Sequence, residues 1–228
     1  CGGCGYAGCA NYAEAIVKGN APLDLCTPGG GKVARAVAKL MGKEVNLNSL
    51  SDEKLVAQVH CRGNKETAVT SFAYSGIRDC NALYILYEGD KDCKYSCLGL
   101  GSCIKVCPVD AIHYDRSGCV WVDKEACISC RKCVDVCPTG VMKMIPYEAD
   151  YLVACNSKDK GAVTKKYCSV GCIGCTLCVK KSPEGGFIVE DYLARIDYAC
   201  HGERENAADV CPTKCIILNQ TEVVRKDS

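Results

Sequence analysis

The chain has 228 residues, 23 of them cysteine, and a formal net charge of +1 from 28 basic and 27 acidic residues. That balance excludes a global electrostatic attraction to nucleic acid, and two Phe and one Trp are too few for one large aromatic core. Small modules stapled by metal fit better, and no apolar run approaches the length that spans a bilayer.

The chain opens on Cys1, already inside the motif Cys1-Gly2-Gly3-Cys4-Gly5-Tyr6-Ala7-Gly8-Cys9, so a further upstream segment, such as a membrane anchor, is expected. Tyr12, Ala15 and Ile16 recur at helical spacing and predict a helix over 11–18. A second helix is expected over 32–41, after Cys26, Pro28 and three glycines, with Val33, Ala36, Val37 and Leu40 as its buried face. Ser51-Asp52-Glu53 reads as a helix start, and 69–74 and 83–87 read as strands or short helices. From Cys93 onward, cysteine groups alternate with β-prone pieces at 111–114, 119–122 and 141–144. The same grammar returns at 187–189, 194–197 and 216–218, an internal repeat of about 75 residues.

The spacing Cys127-x2-Cys130-x2-Cys133-x3-Cys137-Pro138 matches the bacterial ferredoxin run, in which three thiolates hold one [4Fe–4S] cluster and the fourth crosses to the other. Cys93-x3-Cys97-x5-Cys103-x3-Cys107-Pro108 reads as a stretched partner. The crossing rule then predicts one cluster on Cys93, Cys97, Cys103 and Cys137 and another on Cys107, Cys127, Cys130 and Cys133. The set Cys1, Cys4, Cys9 and Cys26 suits a further [4Fe–4S] cluster, with the glycines aiming amides at its sulfurs. C-x2-C pairs also bind zinc. Cys-Pro at ferredoxin spacing disfavours it in the repeat, while a zinc knuckle stays open for the N-terminal set.

The last copy is eroded. Cys172, Cys175 and Cys178 are intact, but Ser182 stands at the fourth position before Pro183, and only Cys200 lies near the positions upstream of Cys211-Pro212. One cluster is expected there, on Cys172, Cys175, Cys178 and Cys211, with Cys168 and Cys215 as rival fourth ligands. Four clusters are therefore expected in all. Cys61, Cys80, Cys119, Cys155, Cys168, Cys200 and Cys215 are read as buried free thiols; spacing gives no support for a site shared by Cys61 and Cys80. The predicted class is α+β: a small helical four-cysteine domain (1–50), a connecting α/β segment of unknown role (51–92), a module like a bacterial dicluster ferredoxin (93–147) and a degenerate copy of it (148–228).

Other motifs carry less. Gly29-Gly30-Gly31-Lys32 lacks the Ser or Thr and the outer glycine spacing of a phosphate loop. His60, His113 and His201 are isolated, and no catalytic grouping is evident. Lys158, Lys160, Lys165, Lys166, Lys180 and Lys181 read as a solvated face or as a docking patch for an acidic electron carrier.

The opening motif with Cys26-Thr27-Pro28-Gly29-Gly30, the stretch Ser96-Cys97-Leu98-Gly99-Leu100-Gly101, and Cys155-Asn156-Ser157-Lys158-Asp159-Lys160-Gly161 leading to Cys172-Ile173-Gly174-Cys175 together resemble the B subunit of the Rnf complex, a membrane ferredoxin:NAD oxidoreductase that moves ions. The resemblance implies a subunit at the cytoplasmic face of the cell membrane. Such a subunit takes electrons from reduced ferredoxin and passes them toward other subunits of a translocase that pumps Na⁺ or H⁺. It also implies a hydrophobic anchor ahead of the first motif. An iron–sulfur relay of a soluble hydrogenase or dehydrogenase, or a structural metal scaffold, would share the cysteine pattern.

Overall fold

The computed structural model describes residues 1–43 and 53–219. Two helices carry the N-terminal segment: α1 (Cys9–Val17) buries Tyr12 and Ile16, one turn apart, and α2 (Gly30–Met41) stops at Gly42 in the left-handed conformation. The buried face of α2 is Gly31, Ala34 and Ala38, and the expected Leu40 is 86% exposed. The helical period is the expected one; its phase differs because the small side chains, rather than the branched ones, let the backbone pack close. Tyr12 ties α1 to the loop bearing Cys26, donating to the Pro22 carbonyl (2.8 Å) and accepting the Leu25 amide (3.1 Å).

The expected helix start at Ser51-Asp52 lies outside the described residues, and the chain just beyond it is a strand, β1 (Leu55–Val59). Of the two ambiguous pieces that follow, 69–74 makes only an isolated bridge from Thr70 to Lys91, while Leu83 and Tyr84 lie in the short helix α3 (Cys80–Tyr84). Next come α4 (Ser102–Lys105), the antiparallel hairpin of β2 (Ile112–Tyr114) and β3 (Val120–Val122), and α5 (Lys132–Asp135). β4 (Met142–Pro146) closes the unit by pairing antiparallel with β1, from Leu55 opposite Pro146 to Val59 opposite Met142. The segment 53–92 thus supplies the first strand of the module that follows it.

The second copy repeats the plan with β5 (Tyr151–Val153), α6 (Gly161–Tyr167), α7 (Leu177–Lys181), the hairpin of β6 (Phe187–Glu190) and β7 (Leu193–Ile196), α8 (Glu205–Val210) and β8 (Ile216–Leu218), which pairs with β5. Alternation along the strands sorts their side chains between three cores. Ala57, Val59 and Met142 face the middle module, with Met144 packed beside them. Val153 and Ile216 face the last module with Phe187 and Leu193. Val56, Ile145, Ala149, Leu152 and Ala154 form a third core between the two strand pairs, so the modules stand back to back. One buried polar contact also crosses between them, from His60 Nδ1 to the Val153 carbonyl at 2.8 Å.

Candidate metal centres

Three loops share one backbone plan. In 97–103, 127–133 and 172–178 the first and last residues are cysteine, and the residues two and four past the first have positive φ. These are Gly99 and Gly101 (70° and 74°), Ser129 and Arg131 (59° and 64°), and Gly174 and Thr176 (64° and 61°). Such alternation curls successive amides inward into an anion-binding concavity. Each left-handed non-glycine residue costs about 1–2 kcal/mol, so Ser129, Arg131 and Thr176 hold a shape that a bound anionic group would stabilise. After each Cys-Pro the turn closes on another left-handed residue, Asp110, Gly140 or Lys214. In the first of these turns the Ala111 amide donates to Cys107 Sγ at 3.3 Å.

The loops wall off cavities. Cys107, Cys127, Cys130 and Cys133 line one together with Ala57, Ile112, Val122 and Met144. Cys97, Cys103 and Cys137 line another, and its fourth thiol is Cys80. Cys93 is not on that wall. Leu100 stands in the middle of its loop where Cys130 and Cys175 stand in theirs, and α3 brings in the missing sulfur. The Cys80 amide donates to Ser102 Oγ (2.8 Å), and Ser102 in turn donates to the Asp79 carboxylate (2.9 Å) that caps α3. Burial, reinforced by neighbouring thiols, pushes Cys103 up to about 11 and Cys133 up to about 12.

In the last module Cys172, Cys175, Cys178 and Cys211 line a cavity, and Cys215 joins them. Cys215 Sγ lies 3.6 Å from Cys211 Sγ. Its thiol donates to Cys211 and Cys172, holding them down at about 5 and about 6 against the opposing effect of burial. Cys168, the other rival fourth ligand, is absent from this wall. The place of a second cluster in this copy is filled by protein. Arg204 and Ala207 stand seven and four residues before Cys211, as Cys130 and Cys133 do before Cys137. The buried Arg204 guanidinium donates to the Gly185 carbonyl (2.8 Å), the Cys200 carbonyl and the Asp150 carboxylate (2.6 Å), and it lies over the Tyr198 ring. Ser182 donates to the Glu203 carbonyl.

At the N-terminus Cys4 and Cys26 both approach the Tyr12 hydroxyl, whose pKa is raised mainly by burial and further by these two thiolates. Cys1 and Cys9 are exposed. The motif rests on the middle module: a methyl group at Gly3 would stand 3.1 Å from the Cys130 carbonyl oxygen. Among the described residues, no three Cys, His, Asp or Glu side chains are gathered for a single metal ion. A tetrahedral zinc would need its sulfurs about 2.3 Å from one point; in the middle and last modules the sulfurs ring cavities instead, which suits a cubane.

Residues 1–28 match the family model described as "Putative Fe-S cluster", and residues 120–143 match the model of the 4Fe-4S binding domain. The chain is 42% identical over 216 residues to the B subunit of the Na(+)-translocating ferredoxin:NAD(+) oxidoreductase complex of Acetobacterium woodii, covering 95% of this chain and 64% of that relative. It is 43% identical over 219 residues to the B subunit of the proton-translocating ferredoxin:NAD(+) oxidoreductase complex of Clostridium ljungdahlii, covering 95% of this chain and 76% of the relative. The B subunit of the ion-translocating oxidoreductase complex of Methanosarcina acetivorans is 39% identical over 218 residues, with 96% of this chain and 81% of the relative covered. The chain belongs to the family of B subunits of ion-translocating oxidoreductase complexes. It is an iron–sulfur protein with [4Fe–4S] cofactors. As a member of this family it shows, among the described residues, no helix long and apolar enough to cross a membrane.

The geometry brings forward two residues that the sequence reading passed over, Cys80 on a cavity wall and the buried Arg204, and each had a signal. The x5 spacing between Cys97 and Cys103 is the ferredoxin x2-Cys-x2 with leucine in the middle, which calls for a thiol from elsewhere: Cys80. Arg204 falls at a ligand position when residues are counted back from Cys211 instead of forward from Cys172.

Proposed function

We propose that this chain is the electron-transfer subunit of an ion-translocating ferredoxin:NAD oxidoreductase, accepting electrons from reduced ferredoxin and delivering them to membrane subunits at the cytoplasmic face. The carrying observation is the repeated loop with two left-handed residues between cysteines, each copy walling a cavity lined by four or five thiols, in a chain whose relatives are named for that reaction. The [4Fe–4S] clusters supply one-electron outer-sphere transfer, so no acid, base or nucleophile is required.

The ligand sets that best fit the geometry are Cys1, Cys4, Cys9 and Cys26; Cys80, Cys97, Cys103 and Cys137; Cys107, Cys127, Cys130 and Cys133; and Cys172, Cys175, Cys178 and Cys211. The middle module then reads as a dicluster ferredoxin-like unit that borrows β1 and Cys80 from the preceding segment. The last module is a single-cluster derivative whose second site Arg204 occupies. Electron entry is at the last module, where Cys175 is exposed and exposed lysines cover α6 and the end of α7.

Anaerobic stopped-flow mixing with reduced ferredoxin tests this. Wild-type protein is expected to bleach in the visible with a rate that falls steeply as salt is raised. The Lys165→Glu, Lys166→Glu double variant is expected to react about tenfold more slowly at low salt and to lose that dependence. A wild type that ferredoxin does not reduce would sink the function. A charge-reversed protein with unaltered kinetics would sink the docking site alone.

A further inference from the structure

Three thiols outside these sets share a backbone contact with three of the ligands. The sulfurs of Cys97, Cys172 and Cys211 each accept an amide from the residue two positions on, Gly99, Gly174 and Thr213. Those of Cys93, Cys155 and Cys168 do likewise, from Tyr95, Ser157 and Val170. A sulfur aimed at the amide two residues ahead is what a thiolate on a cluster needs, since the N–H stabilises its charge and fixes its direction. Cys119 also lies near Cys61, but its thiol contacts the Arg62 carbonyl at 3.5 Å.

These thiols meet Cys61 at the seam between the two modules. Gly63 stands two residues after Cys61, and a methyl group there would lie 3.7 Å from Cys61 Sγ and 3.9 Å from Cys168 Sγ. The Ala68–Cys168 bridge pins the loop, and Lys91 Nζ holds it by donating to the carbonyls of Gly63 (3.1 Å) and Cys97 (2.6 Å). Burial pushes Cys93 up to about 11, and the nearby Cys61 and Cys168 thiolates push in the same direction. Burial takes Cys155 up to about 12, with Cys172 and Cys61 adding to it. The Cys172 amide itself donates to Cys155, so this group of thiols directly adjoins the last module's centre.

We propose that Cys61, Cys93, Cys155 and Cys168 hold a further [4Fe–4S] cluster at the junction of the middle and last modules. Ligation displaces the four thiol protons, and the Lys91 ammonium offsets part of the resulting negative charge. The site rests on the iron–sulfur reading above and completes it. It lies between Cys97, on the wall of one centre, and Cys172, on the wall of another, and so joins centres that the module boundary would otherwise separate.

Iron, zinc and acid-labile sulfide per chain, measured on anaerobically purified full-length protein, test this. Wild type is expected to hold about 20 iron atoms, and Cys93→Ser, Cys155→Ser and Cys168→Ser to hold about 16. Cys119→Ser is expected to keep them all. Full iron retention in any of the first three variants, zinc at the site, or a wild type with about 16 atoms would overturn the site while leaving the four-cluster reading intact. A wild type without iron would overturn both. Because a cysteine variant can misfold, iodoacetamide mapping of the native wild type provides a second readout. Cys61 and Cys168 are only half-buried and are expected to resist alkylation until the clusters are stripped. Their modification in the iron-loaded protein would also refute the site.

Discussion

At the scale of single residues, cluster sites are lost and gained by moving one side chain. In the proposed ligand sets Leu100 vacates a ligand position, and Cys80, held by Ser102 and Asp79, enters from another element. Cys80→Ala is therefore expected to abolish the EPR signal of the centre walled by Cys97, Cys103 and Cys137, whereas Cys93→Ala leaves that signal in place; the opposite pattern would return Cys93 to this site. Arg204 shows the reverse change, a guanidinium where a thiolate would be. It is buried, and its partners include two carbonyls that would be left without a donor. Arg204→Ala is expected to cost about 3 kcal/mol, at the low end for breaking a buried pair because Asp150 is half exposed. For a chain of this size that lowers the melting temperature by roughly 6–12 °C, with iron content unchanged. A shift under about 2 °C would show that Arg204 is dispensable filling.

At the scale of elements, the strand pairs β1–β4 and β5–β8 carry the fold, and His60 is the polar link between them. Its Nδ1 must bear the proton, because the Val153 carbonyl can only accept, and its Nε2 is buried without a partner. Burial, with Lys143 nearby, lowers its pKa to about 4. Folded His60 is thus neutral where the unfolded chain, titrating near 6.5, takes up a proton. Its contribution is complete above about pH 6.5 and is lost as the pH falls toward 4, about 3 kcal/mol in total. Urea unfolding of the anaerobic protein between pH 7.5 and about 5 is expected to show that slope. His60→Phe is expected to flatten it, at a cost of about 1–3 kcal/mol at neutral pH from the unpaired carbonyl. An equal slope in both proteins would place the titration elsewhere. The strands at 112–114, 120–122, 142–146, 187–190, 193–196 and 216–218 were legible because each is a short β-prone run that follows a cysteine group or turn. β1 and β5 were not, since Leu55–Val59 and Tyr151–Val153 have no cysteine group just ahead of them, and their partners lie far along the chain. The phase of α2 was illegible for a related reason: alanines and branched residues share the same helical period, and only packing chooses between them.

At the scale of the whole molecule, the contacts set an order for the centres. The N-terminal motif rests on the loop of Cys130, the middle module holds two thiol cavities around one core, and the shared core of Val56, Ile145 and Leu152 sets the last module behind it. Electron transfer between neighbours depends on that packing being tight, and between the N-terminal motif and the middle module a close approach is at Gly3. A methyl group there would stand 3.1 Å from the Cys130 carbonyl oxygen, 3.3 Å from Cys130 Cβ and 3.4 Å from Cys130 Cα. Because these are backbone and near-backbone atoms, they cannot swing aside, and a larger side chain must lift the motif off the module. Gly3→Val is therefore expected to leave ferredoxin-driven reduction at the last module unchanged and to slow arrival of electrons at the N-terminal motif by at least tenfold. Freeze-quench EPR at successive times after mixing with reduced ferredoxin resolves the two steps. Slowing confined to the N-terminal signal would establish the motif as the exit end of the path. Equal slowing at every signal would mean that the substitution disturbs the whole middle module, and no slowing would mean that electrons reach the motif by a route that avoids Cys130.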